Sequence, residues 1–86
     1  MKEIKLTKHA TKQSQIRGVT LDEIRTVLSE GNWETAEYGR FVAKRAFPFD
    51  KNWEGTFYRR KEVRVIFKEE DGKIIVITVI SRYFEN

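Results

Sequence analysis

Cysteine is absent from this chain, and histidine and proline each occur once. Without cysteine there is no disulfide, no thiolate nucleophile and no thiolate metal ligand. A single imidazole cannot by itself build the usual zinc ligand sets. The longest mostly apolar stretch, IIVITVI (Ile74 to Ile80), is too short to span a bilayer, which takes about 20 residues. The first ten residues, MKEIKLTKHA, alternate charged and apolar side chains and do not read as a signal peptide. These absences point to a cytoplasmic protein with no membrane partner. No glycine-rich phosphate loop occurs. None of Ser14, Ser29 or Ser81 sits in a nucleophile elbow. The residues call for no cofactor and no metal.

The chain has 86 residues, enough for one domain. At this size folding buries only about 60–65% of the chain's surface, so a shallow groove is expected, not a deep cavity. Hydrophobic residues make up 40% and aromatics 13%, which argues for a packed core over disorder. The net charge is +4, and it is unevenly spread. Between Arg40 and Lys68 lie nine basic residues, three acids and seven of the eleven aromatics. Basic side chains interleaved with aromatics suit a phosphate backbone and stacked bases. A solvated sheet face with its aromatics turned inward would show the same composition.

The periodicity predicts an α+β domain. EIKLT (Glu3 to Thr7) alternates as a short strand or extended lead-in. Lys8 to Arg17 reads as a surface helix with a thin apolar face, Ala10 and Ile16, ended by Gly18 as a left-handed cap. His9, Gln13 and Arg17 recur at four-residue steps and share one side of it. VTLDEI sets a capping box, Thr20 with Glu23, before a second helix whose stripe is Leu21, Ile24, Val27 and Leu28. Gly31 ends that helix. The remainder reads as strands. Trp33 to Tyr38 turns at Gly39 into RFVAKRAFPF, where Phe41, Ala43, Phe47 and Phe49 share a side with Arg45. Pro48 suggests an edge or a strand end, and DKNWEG reads as a loop. Val63, Val65 and Phe67 alternate with Arg64, Ile66 and Lys68, and Asp71-Gly72 centres a hairpin turn. The last segment is apolar on both faces, as a central strand should be. The expectation is two N-terminal helices packed on one twisted antiparallel sheet of about four strands.

With metals, thiolates and an activated serine set aside, one reaction stays within reach of these residues. Metal-free cleavage of RNA takes its nucleophile from the substrate's 2′-hydroxyl. The protein then supplies only proton transfer and cations.

LTKHA, RGVTLDEI and VLSEG near the start, with VRVIF and DGKIIVITVISRYF at the end, resemble a family of small bacterial and archaeal domains. That family is grouped with the RelE/ParE/BrnT toxin superfamily. Its signature runs His-Ala, an arginine, Arg-Gly-Ile-Ser/Thr, an acidic helix, a valine-rich hairpin and a terminal strand. The resemblance implies a RelE-like fold and a metal-free endoribonuclease, the toxin of a type II toxin–antitoxin pair. Its implied partners are RNA, free or ribosome-bound, and a cognate acidic antitoxin. By analogy Arg64 and Arg82 hold phosphate on the concave sheet face, with Lys44 and Arg45 lining it. His9 or Tyr83 handles protons, and Arg17, Trp53 and Arg59 add to the nucleic-acid surface. Gln13 stands where the family often carries arginine. That departure favours a second reading, a non-catalytic module that binds nucleic acid or protein. A ParE-like gyrase inhibitor shares the same fold and is a third.

Several of these residues also have plain structural roles. His9 falls in the first turn of a helix, and Arg17 suits a helix C-terminus electrostatically. Trp53 either stacks a base from a polar loop or folds back as a lid on the sheet.

Overall fold

The computed structural model describes residues 2–86. Strand β1 (Glu3–Leu6) leads into helix α1 (Lys8–Arg17) and helix α2 (Leu21–Glu30). Strands β2 (Asn32–Thr35), β3 (Phe41–Trp53), β4 (Thr56–Glu70) and β5 (Lys73–Phe84) follow, with a 3₁₀ turn over Glu37–Gly39. Their order in the sheet is β1-β5-β4-β3-β2. The α+β class is as expected, but the sheet has five strands and is mixed. β1 pairs with β5 in parallel, while the other pairs are antiparallel. Local periodicity cannot reveal this pairing, because both helices and three strands separate its two partners. Among the described residues no helix is long and apolar enough to cross a membrane.

Both helices form for local reasons. The Thr7 hydroxyl accepts from the Ala10 N–H and caps α1, and Gly18 ends it at φ +69. Thr20 and Glu23 close the expected capping box on α2. α1 buries Ala10 and Ser14, whereas Ile16, expected on its apolar face, is 58% exposed. α2 buries Ile24, Val27 and Leu28 but leaves Leu21 outside.

The strands depart from expectation at their ends. β2 stops at Thr35, and the chain turns through Tyr38 and Gly39, both at positive φ. The segment read as a loop, DKNWEG, is instead the tip of a long β3–β4 hairpin. Its turn is Glu54-Gly55, with φ +49 and +86, close to the geometry of Asp71-Gly72. Pro48 lies inside β3, where the register shifts between Pro48 and Lys51. That irregularity accommodates a residue without an N–H. β5 is flanked on both sides, as its apolar sequence requires.

The sheet has one covered face. Ala43, Val63, Val65, Phe67, Ile74, Val76 and Val79 form the core there with Ala10, Val19, Ile24, Val27 and Leu28. At one end the apolar row gives way to a buried cation. Lys61 is 2% exposed, and its ammonium donates to the Gly18 carbonyl (2.5 Å) and to both Glu23 carboxylate oxygens (2.8 and 3.1 Å). The same Glu23 carboxylate accepts the Thr20 N–H, so one group caps α2 and neutralises Lys61. Trp53 lies so close to Gly18 that a Cβ there would meet the indole at 2.6 Å.

Unfolding experiments can probe this junction at two points. Gly18→Ala combines left-handed backbone strain with a clash against the indole, and should cost about 2–4 kcal/mol in urea unfolding. A loss below about 0.5 kcal/mol would contradict the close packing. Glu23→Gln strands the buried ammonium and should cost about 3 kcal/mol. Lys61→Met removes the charge from the core and should cost clearly less. The reverse order would mean that the pair is not electrostatically coupled.

Candidate functional site

Antiparallel register places alternate residues of each strand on the side away from the helices. Val42, Lys44, Ala46 and Pro48 of β3 lie across from Ile66, Arg64, Glu62 and Arg60 of β4. These in turn face Thr78, Ile80, Arg82 and Phe84 of β5. Not one of these residues is buried. None of the described elements covers this face. It is aliphatic at its centre and cationic around it, with Lys44, Arg60, Arg64, Lys68 and Arg82 set against Glu34, Glu62 and Glu70, the last paired with Lys68 at 3.1 Å. The Arg64 Nε donates to the Glu62 carboxylate at 3.0 Å, which fixes the guanidinium on the surface. The Arg60 guanidinium lies 5.3 Å from the Phe84 ring centre.

The covered side holds a second candidate at the hairpin tip. Ile16, Arg17, Trp53, Glu54, Tyr58, Ser81 and Tyr83 line an open groove of about 430 Å³. Three aromatics meet in it. Trp53 and Tyr83 stack at 5.1 Å and 13°, and Tyr58 lies 5.4 Å from Tyr83. The Tyr83 hydroxyl donates to the Arg17 carbonyl at 2.8 Å, and the Ser81 hydroxyl donates to the same carbonyl at 3.0 Å. Burial raises the Tyr83 pKa above the ordinary tyrosine value; the Ser81 hydroxyl opposes the shift, while the Glu23 and Glu54 charges add to it. At neutral pH this phenol is therefore a committed hydrogen-bond donor and a poor proton acceptor.

The proposed site residues thus fall into separate places. Lys44, Arg64 and Arg82 share the open face. Arg45 does not join them: as the neighbour of Lys44 it points to the helix side, 3.5 Å from Glu30 and stacked on Phe47. Arg17, Trp53 and Tyr83 meet at the groove, and Trp53 adopts the lid position. Arg82 and Tyr83 pair regularly with Glu62 and Lys61, so they occupy opposite faces. His9 is exposed in the first turn of α1. Eight helical steps, about 12 Å, separate it from Arg17. Arg59 lines a groove at one end of the open face, shared with Ala46, Pro48 and Arg60 and bordered by Phe47 and Asp50. On the shared side of α1, the Arg17 Nε donates to the Gln13 side-chain Oε1 at 3.1 Å. An arginine at position 13 could not accept that bond.

Sequence reasoning passed over Lys61, Tyr58 and Glu54. Lys61 is one cation among many in RRK. Only its place in line with Val63, Val65 and Phe67 signalled an inward side chain. Among the described residues no group of acidic or histidine side chains is arranged to hold a metal ion. Comparison of the chain with protein-family models, with curated proteins and with solved structures finds no match.

The raised Tyr83 pKa has a defined sign for stability. The unfolded phenol ionises first, near pH 10, so stability falls as pH rises from there through the raised folded value. Below that window the group contributes no pH dependence. Tyr83→Phe should lose about 1 kcal/mol at neutral pH, from the bond to Arg17, and should flatten part of the alkaline fall. An unchanged alkaline slope in denaturation across this pH range would contradict the burial of the phenol.

Proposed function

We propose that this protein binds single-stranded RNA along the open face of its sheet. One observation carries the reading: a full sheet face, with cations on three adjacent strands, has none of the described elements packed on it. Residues two apart on a strand are about 7 Å apart, and neighbouring strands about 4.8 Å. The cations therefore form a lattice, which suits a flexible backbone of repeated negative charge. Contacts of this kind fix position more than sequence. The resemblance to RelE/ParE/BrnT-like domains supports RNA over DNA as the strand held.

A second reading, metal-free cleavage by a toxin of that superfamily, draws on a different observation. Arg17, Glu54, Tyr58 and Tyr83 line one groove. In that case an acidic antitoxin segment would find its complement on the open face. Against it stand the distance of His9 and the engaged, weakly acidic Tyr83.

Fluorescence anisotropy with a labelled RNA oligomer, measured over a salt series in the presence of a chelator, decides between them. Binding without cleavage is expected. Arg64→Gln with Arg82→Gln should reduce the log–log salt slope by about 1.4, roughly 0.7 for each phosphate no longer neutralised. An unchanged slope removes the open face as the binding surface. Cleavage by the wild type that Tyr83→Phe abolishes establishes the second reading.

A further inference from the structure

The groove at the hairpin tip is on the opposite side of the sheet from the open face, and its chemistry is different. Its walls are aromatic: the rings of Trp53 and Tyr58 lie 5.1 and 5.4 Å from that of Tyr83. Such rings stack any base, because every base has a π-face. Selectivity has to come from the polar groups beside them. There are two charged ones, Arg17 and Glu54.

Glu54 is unusual in its placement. It is the first residue of the two-residue turn, at φ +49, where asparagine, aspartate or glycine is the usual choice. It is exposed, and its carboxylate takes part in none of the salt bridges among the described residues. It lies near enough to Tyr83 to help hold that phenol protonated. An ionised carboxylate only accepts hydrogen bonds, and its two oxygens best meet two parallel donors. Guanine alone among the four RNA bases presents two adjacent donors on its Watson–Crick edge, N1–H and N2–H. Adenine and cytosine show a single amino group beside an acceptor, and uracil shows one N–H between two acceptors.

We infer that the groove is a guanine site, in which the base stacks among Trp53 and Tyr58, the Glu54 carboxylate accepts N1–H and N2–H, and Arg17 meets the phosphate. The Arg17 Nε is held by Gln13, which leaves its two terminal amino groups for an anion. The volume of about 430 Å³ accommodates one base with its sugar. The groove alone would form this site, independently of the open face.

The test is titration of the folded wild-type protein with the four nucleoside 5′-monophosphates and inosine 5′-monophosphate, followed by tryptophan fluorescence and calorimetry. Guanosine monophosphate should bind at least about tenfold more tightly than the adenosine, cytidine and uridine compounds. Inosine monophosphate, which lacks N2–H, should fall between. Glu54→Gln, at an exposed turn, should keep the fold by circular dichroism and collapse this preference to within about twofold. Absence of a guanine preference from the mononucleotides and the oligomers alike, or an undiminished preference in Glu54→Gln, overturns the inference. Comparing a hexamer of uridine with one carrying a single guanosine separates the sources. A preference seen only in the oligomer assigns the site to a base within RNA, and one seen equally in the mononucleotide assigns it to a free nucleotide. Adding Arg64→Gln and Arg82→Gln to the mononucleotide titration keeps the two surfaces distinct: guanine preference should survive that change whether or not RNA binding does.

Discussion

A buried ammonium organises this fold. Lys61 sits where the sheet's apolar row should continue, and it is almost wholly withdrawn from water. An ion in that position is tolerated only when its charge and its donors are all met. Glu23 supplies the charge and Gly18 a carbonyl, while the rings of Phe49 and Tyr83 lie 5.5 and 5.7 Å away. Each partner belongs to a different element. Satisfying one side chain therefore fixes the α1–α2 corner, the first turn of α2, the far half of β3 and the end of β5 relative to β4.

The corner itself is then crowded. Gly18 gives up its carbonyl to Lys61, has the Trp53 indole against its Cα, and follows the Arg17 carbonyl that Ser81 and Tyr83 share. Only glycine meets all of this at φ +69. The Arg-Gly pair is thus explained by packing before any chemistry is asked of it. Buried polar groups here are paired throughout: among the described residues no buried side-chain nitrogen or oxygen lacks a hydrogen-bond partner. A satisfied network of this kind rigidifies the end of the molecule that carries the groove.

Much of this was legible in the sequence, and the reasons are local. The capping box of Thr20 and Glu23, the Gly18 cap and the Asp71-Gly72 turn each rest on residues within a few positions of one another. The alternation of Val63, Val65 and Phe67 with Arg64, Ile66 and Lys68 matches the two faces of β4. What was not legible is long-range. Nothing near Glu3–Leu6 announces a parallel partner at Lys73–Val76. Glu54-Gly55 is a weaker turn signal than Asp-Gly, so the hairpin tip read as a loop and Trp53 lost its strand. For the candidate site, residue type and proximity in sequence cannot tell Lys44 from Arg45 or Arg82 from Tyr83. The side chains of each pair leave the sheet in opposite directions.

The pair at the end of β5 joins the two surfaces. β5 delivers Arg82 to the open face and Tyr83 to the groove within one residue, and a slip of one in its pairing would exchange them. The slip that sets Arg82 opposite Lys61 would also replace Val79 with Thr78 beside Val65. The pairing of Lys61 with Tyr83 would be lost. A shifted strand would bring Arg82 beside the buried ammonium and set like charges together in the least hydrated part of the molecule. The repulsion would be strong there, since low dielectric magnifies it. The register of β4 on β5 does shift by one between Ile66 and Phe67, and Lys61 opposes the same shift at the end that carries Arg82 and Tyr83. The cationic face and the aromatic groove are two consequences of that single choice.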